Sequence, residues 1–209
     1  MTLNVQHIKT WLLSCNEKIQ ENKVRLSDLD QAIGDGDHGF NMARGFEEGR
    51  KRIAQQVYDT PADILRDFST VLISKVGGAS GPLYGTAFLK MAMSLKGINE
   101  VDYTSLKASI QSALEGIKKR GKAEENEKTM IDVWSPALEF MKQHDTFDSA
   151  GFNASIKEAM ESTKEMKATK GRASYLKERS IGHLDPGAVS SYYILSSLAD
   201  IIEKDGALS

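Results

Sequence analysis

The sequence predicts a single all-α domain of about eight helices, on three observations. Apolar residues recur at steps of three and four along most of the chain. Only four prolines (Pro61, Pro82, Pro136 and Pro186) interrupt its 209 residues. No stretch shows the polar–apolar alternation of a strand between turn signals.

The first helix carries Val5, Ile8, Leu12, Cys15 and Ile19 on one face, which makes Cys15 a small core residue. The second follows Met42, Phe46 and Ile53, and the third Ile64, Phe68 and Leu72. Thr60-Pro61 starts the third, with a capping hydroxyl directly before a proline suited to the first turn. Leu83, Ala87, Met91 and Leu95 mark the fourth, and Gly97 supplies a left-handed stop. Leu106, Ile110, Ala113 and Ile117 mark the fifth, for which Gly121 is the expected stop. Residues 118–128 are dense in charge and read as a solvated connection. Val133, Ala137 and Phe140 form the sixth, where Pro136 implies a kink or a start later than Thr129. Phe152, Ile156 and Met160 form the seventh. Val189, Tyr193, Leu198 and Ile202 form the eighth, opened by Asp185-Pro186 and closed by Gly206.

Composition narrows the function. Hydrophobic residues make up 40% and charged residues 27%, values of a globular chain rather than a disordered or membrane-embedded one. A net charge of −2 offers no basic excess for nucleic acid or an anionic membrane. A single cysteine excludes an internal disulfide framework and a cysteine-based zinc site. Near the N-terminus only Trp11-Leu12-Leu13 is an unbroken apolar run, too short for a signal peptide or spanning helix, so a cytoplasmic location is expected.

The unusual residues lie between helices. The first connection holds Asp30, Asp35 and Asp37 among Gly34, Gly36 and Gly39. Carboxylates this close repel one another without a cation, and carboxylate oxygen is the preferred ligand of Mg²⁺. A solvated turn is the other reading of such a cluster. Gly34-x-Gly36-x-x-Gly39 matches a dinucleotide fingerprint by letters, but no strand precedes it. An EF-hand begun at Asp35 would put Phe40 where glycine is required and Phe46 where glutamate is required. The third connection, Gly77-Gly78-Ala79-Ser80-Gly81-Pro82, sets small residues before a helix, where free amides and the helix dipole suit a phosphate. A plain glycine turn fits it too, and it lacks the lysine of a P-loop. Basic loops follow at Arg120-Gly121-Lys122 and at Lys170-Gly171-Arg172.

If the helices run up and down, the connections after the first, third, fifth and seventh emerge at one end. Every glycine-rich or densely charged loop is one of those four, while the connections near Pro61, Gly97 and His144 are plain. Acidic ligands, amides and arginines therefore converge on one rim, the chemistry of a Mg-nucleotide site.

Gly34-Asp35-Gly36-Asp37-His38-Gly39-Phe40-Asn41, Gly77 to Pro82, Gly171-Arg172-Ala173-Ser174-Tyr175 and His183-Leu184-Asp185-Pro186-Gly187 closely resemble the nucleotide-binding L subunit of dihydroxyacetone kinases. The resemblance runs from the first helix to the last. It implies one nucleotide-binding domain over residues 1–209, an eight-helix up-and-down antiparallel barrel with ADP or ATP at one end. By the same resemblance Asp30, Asp35 and Asp37 would hold the metal, expected as two Mg²⁺ ions. His38, Gly39, Phe40 and Asn41 would border the nucleotide, and Ala79 and Ser80 would donate to phosphate. Gly121 and Met130 would contact the nucleoside, while Arg179 and Asp185-Pro186-Gly187 would close the pocket. Arg172 reads as part of a lid or partner surface, and His183 as a residue that positions its turn rather than an acid or base.

The implied reaction moves a phosphoryl group from Mg-nucleotide to dihydroxyacetone held covalently on a histidine of a separate K subunit. In the multi-subunit form, bound ADP is recharged by a phosphotransferase-system phosphocarrier, the M subunit, and a length limited to the nucleotide domain favours that form. Other readings of the same residues are a kinase using free ATP on another partner-presented substrate, a two-metal all-α hydrolase and a non-catalytic nucleotide sensor.

Overall fold

Asn4 opens the first helix, α1 (Val5–Ile33), by accepting from the amides of Gln6 and His7, while His7 Nδ1 accepts from the Asn4 amide. In this computed structural model, which describes residues 2–206 and Leu208, seven further α-helices follow: α2 (His38–Ala54), α3 (Pro61–Lys75), α4 (Ser80–Ser94), α5 (Tyr103–Gly121), α6 (Ile131–Gln143), α7 (Ser149–Ser162) and α8 (Pro186–Asp205). A 3-10 segment, Arg172–Ser180, lies between α7 and α8. Among the described residues the β-type pairing is one isolated bridge, Leu3 to Val101. No helix among them is long and apolar enough to cross a membrane.

The expected start signals are in place. Thr60 Oγ1 accepts from the Asp63 amide at 3.2 Å, and Asp185 Oδ2 accepts from Ala188 at 2.7 Å. Asp102 and Asp148 cap α5 and α7 in the same way. α6 begins after Thr129, at Ile131, but Pro136 still lies inside it, so the helix lacks the backbone hydrogen bond that residue 136 would donate. Gly206 closes α8 in the left-handed region. The stop of α5 differs from expectation. Gly121 is its last helical residue, and Lys122 takes the left-handed cap at φ 49°.

α1 is the longest helix, 29 residues, and extends its buried face through Leu26 to Ile33. Its last turn contains Asp30 and no basic residue. Asp30 is thus helical rather than part of the connection, as the apolar stripe ending at Ile19 did not reveal.

Each helix packs against the next along the chain, and α8 returns to pack on α1 as well as on α7. Trp11, Phe46, Phe68 and Phe88, one from each of α1 to α4, form an aromatic centre with ring centroids 5.3 to 6.5 Å apart. Trp11 Nε1 donates to the Ile194 carbonyl at 2.9 Å, tying α1 to α8. Cys15 is fully buried beside the same carbonyl.

The charged connection after α5 is not wholly solvated. Lys128 is 1% exposed, and its ammonium donates to the carbonyls of Met166 (3.0 Å) and Ser180 (2.6 Å). Asp132, also buried, accepts from the amides of Thr129 (2.7 Å) and Asn126 (2.5 Å) and so folds this loop back on α6. Lys128 thereby fastens both ends of the chain around the 3-10 segment. Lys128→Met should leave two carbonyls without their donor and cost roughly 1–3 kcal/mol. Protease cleavage within residues 163–184 should quicken, and unchanged cleavage would refute this fastening role.

Candidate functional site

A cavity of about 560 Å³ opens at the end of the helices where α1 stops and α2, α4, α6 and α8 begin. Its wall is drawn from the connections after α1, α3 and α5, from Lys170 to Ala173, and from Asp185-Pro186-Gly187. The connections after α2, α4 and α6 contribute none of the lining.

Three carboxylates stand on one side. Asp30 Oδ2 accepts from the amides of Asp37 (2.9 Å) and His38 (3.1 Å), so the end of α1 folds the loop that carries the other two. One oxygen each from Asp30, Asp35 and Asp37 lies within 4.8 Å of the others. Partial burial is the main reason that the Asp30 carboxyl sits above its ordinary pKa. The two amides oppose the shift, and the charges of Asp35 and Asp37 add to it. A hard, all-oxygen set exposed on its outer side fits Mg²⁺, which keeps water and phosphate among its ligands. Arg172 Nη1 reaches Asp35 Oδ2 at 2.5 Å.

Gly77, Gly78 and Ala79 also line the cavity and lead into α4, whose first residue, Ser80, lies in its wall. A Cβ on Gly77 would fall 2.6 Å from the Asn41 side chain, which would have to turn aside from its hydrogen bond with Arg44 to make room.

Ser80 begins a buried polar chain. Its hydroxyl lies 3.0 Å from His38 Nδ1, and His38 Nε2 lies 2.9 Å from Ser190 Oγ. Tyr84 joins Ser190 (2.6 Å) and Ser191 (2.9 Å) and donates to the Gly187 carbonyl at 2.9 Å. Trp134 Nε1 donates to Ser191 at 3.0 Å. Burial lowers the His38 pKa to about 4 against the pull of Asp37, so its ring is neutral in this chain at ordinary pH. Through these contacts α2, α4, α6 and α8 fix one another directly below the cavity.

Burial pushes the Asp185 carboxyl up to about 7; the Ala188 amide opposes this, the Asp132 charge adds to it and Lys128 opposes it. A raised carboxyl binds its proton more readily in the folded state than in the unfolded one. Its contribution to stability is therefore present below the unfolded value, near 4, and is lost as pH rises through about 7. Asp185→Asn keeps a capping side chain and removes the titration. Wild type should lose stability relative to this variant between about pH 4 and pH 7, measured by urea unfolding across that range; parallel curves would refute the assignment.

His38, Asn41, Ala79, Ser80, Gly121, Met130, Asp185, Pro186 and Gly187 line the cavity together with the three aspartates. Gly39, Phe40 and Arg179 are not among its lining residues. Gly39 faces α1, where a Cβ would meet the Lys23 carbonyl at 1.8 Å. Phe40 is 54% exposed, Arg179 is exposed on the 3-10 segment, and His183 is exposed on its turn. Lys128 and Asp132 went unrecognised in the sequence. The Thr129-x-x-Asp132 spacing was a usable signal for the second; nothing local marks the first.

A family model described as a DAK2 domain matches residues 32–200. The chain belongs to the DAK2-domain family. Within that family, it is 49% identical over 198 residues to the "PEP-dependent dihydroxyacetone kinase 1, ADP-binding subunit DhaL" of Listeria innocua, covering 95% of this chain and 97% of that one. It is 39% identical to the "PEP-dependent dihydroxyacetone kinase, ADP-binding subunit DhaL" of Escherichia coli, covering 95% and 98%. Among solved structures, the dihydroxyacetone kinase of C. freundii "in complex with AMP-PNP and Mg2+" superposes with a TM-score of 0.74 at 22% identity, over 96% of this chain and 34% of that one. The DAK2 fold is thus shared with about a third of that larger chain.

Proposed function

We propose that residues 1–209 form one nucleotide-binding domain, the ADP/ATP-binding subunit of a dihydroxyacetone kinase. It takes a phosphoryl group from Mg-nucleotide to dihydroxyacetone held by a separate K subunit, and its ADP is recharged in place by a phosphotransferase-system M subunit in the cytoplasm. The observation that carries this reading is the meeting, in one cavity of about 560 Å³, of three carboxylates within 4.8 Å and a glycine-led helix start. The cavity is of a size that suits a nucleotide. The cyclic packing order, with α8 on α1, supports an up-and-down antiparallel barrel.

The names of relatives support the separate-subunit route. Those at 37–49% identity are called PEP- or PTS-dependent ADP-binding subunits. Longer relatives such as the "Probable dihydroxyacetone kinase" of Dictyostelium discoideum stand at 35%, and this chain covers 32% of that protein.

Asp30, Asp35 and Asp37 would hold Mg²⁺, expected as two ions, which when bound neutralises phosphate oxygens for in-line transfer. The remaining work belongs to the chain. The amides at Ala79 and Ser80 bind phosphate with the help of the α4 dipole. His38, neutral and held at both ring nitrogens, keeps the wall beside the phosphates rigid and uncharged. Gly121 and Met130 contact the nucleoside, and the Asp185-Pro186-Gly187 turn closes the pocket.

Native mass spectrometry of the purified protein tests this reading. Retained ADP with magnesium is expected. A protein that neither retains nor binds ADP, and instead hydrolyses phosphate esters alone, would overturn it in favour of a two-metal hydrolase.

A further inference from the structure

The polar chain beneath the cavity has two unlike ends. At one end Trp134 Nε1 can only donate, so Ser191 Oγ accepts from it and gives its own proton to Tyr84. At the other end stands Ser80, half-buried in the cavity wall. Trp134, Ser191, Tyr84 and Ser190 are each no more than 1% exposed, so their hydrogens must be satisfied within the protein. Each hydroxyl brings one proton, and the neutral imidazole of His38 brings one more. These protons admit two arrangements. In the first, Ser80 donates to His38 Nδ1 (3.0 Å) and His38 Nε2 donates to Ser190 (2.9 Å). Ser190 then donates to Tyr84 (2.6 Å), and Tyr84 to the Gly187 carbonyl (2.9 Å). In the second, every link from Tyr84 to Ser80 runs the other way: Tyr84 donates to Ser190, Ser190 to Nε2, and Nδ1 to Ser80. The Ser80 proton then has no partner in the chain and needs an acceptor in the cavity.

We infer that a phosphate beside Ser80 reverses the direction of this chain and changes His38 from its Nε2–H to its Nδ1–H tautomer. The inference rests on the Mg-nucleotide reading of the cavity. It makes Tyr84 and Ser190 positioning residues, which act on the phosphate through His38 and Ser80. One proton leaves Nε2 and one reaches Nδ1, both exchanged with water, while the hydroxyls of Ser80, Ser190 and Tyr84 rotate. The ring stays neutral and the number of bound protons does not change. An empty cavity favours the first arrangement, because it alone leaves no hydroxyl proton unused. An anion favours the second, because a hydroxyl proton bonds more strongly to a charged oxygen than to a neutral ring nitrogen.

The tautomer is read directly by long-range proton–nitrogen correlation NMR on protein labelled with ¹⁵N-histidine, which tells a protonated ring nitrogen from a bare one. The His38 signal is identified by elimination, with variants of His7, His144 and His183, the other three histidines. Nucleotide-free protein should show Nε2–H with or without Mg²⁺. Saturating Mg-ADP should move the proton to Nδ1, and adenosine should not. Ser80→Ala should keep Nε2–H even with Mg-ADP bound, because no hydroxyl remains to take the Nδ1 proton. A chain that serves only to hold the helices together would show one tautomer throughout. The same tautomer in free and Mg-ADP-bound wild type, a change on Mg²⁺ alone, or a change that survives Ser80→Ala would overturn this inference. Calorimetry on the same samples separates it from the reading beneath it: ADP bound without a change of tautomer leaves the nucleotide site standing. Wild-type protein that binds no ADP would overturn both.

Discussion

Asp37→Asn should reduce phosphoryl transfer roughly a thousandfold while leaving the helices intact. Asp37 is exposed and precedes α2 without capping it through its side chain, so the fold does not depend on its charge. Its carboxylate belongs to the set within 4.8 Å whose joint charge would draw a cation. Ser80→Ala offers the contrast. It removes one hydroxyl beside a charged ligand, worth roughly 1.5–3 kcal/mol, and leaves the α4 amides in place. Heat denaturation separates the two effects from activity. Nucleotide at a hundred times its Kd stabilises the native state by about 2.7 kcal/mol. EDTA should therefore lower the wild-type melting temperature in the presence of ADP by roughly 5–10 °C. It should scarcely change that of Asp37→Asn. Equal melting curves for wild type with and without EDTA would remove the metal assignment, and matching mild defects in both variants would reduce Asp37 to a turn residue.

The isolated chain should bind nucleotide yet form no dihydroxyacetone phosphate from free dihydroxyacetone. Two buried side chains able to capture a triose are already engaged. His38 has partners at both ring nitrogens, and the Lys128 ammonium serves two backbone carbonyls. In-line transfer demands an aligned hydroxyl, and alignment by a docked partner can contribute roughly 10³-fold or more. Product formation should be assayed with Mg-ATP, and with ADP plus a recharging phosphocarrier, in each case with and without a K subunit. Robust turnover by the chain alone would require a substrate pocket among residues that the cavity does not leave free.

Much of the architecture was legible because helices announce themselves through local signals. Stripes of three and four residues located all eight, and Thr60-Pro61 and Asp185-Pro186 marked two starts at the right residue. Stops were harder, since Lys122 took a left-handed cap expected of glycine. The aspartates and the glycine loop stood out because charge and flexibility are concentrated there within a few residues of sequence. Long-range contacts left no such mark. Lys128 looked like one more charge in a charged run, and its burial depends on carbonyls 38 and 52 residues away. The pairing of Arg172 with Asp35 spans most of the chain. Helix geometry splits the Gly39-Phe40 dipeptide. Neighbours in sequence lie on different faces of α2, one against α1 and the other in solvent.

The last turn of α1 carries the opposite of what helix stability asks for. A helix ends in partial negative charge, which favours a lysine or arginine there; this one ends with Asp30 and no base. The misfit is compensated locally, because the Asp30 carboxylate accepts from the amides of Asp37 and His38 and so holds the loop that follows. It also warns anyone engineering a hardier version. Placing a lysine at position 30 would suit the helix end by roughly 0.3–1 kcal/mol, yet it would strip the amides of Asp37 and His38 of their acceptor, a loss of roughly 1.5–3 kcal/mol for each bond. The resulting protein would have a tidier helix and a slack loop beside it.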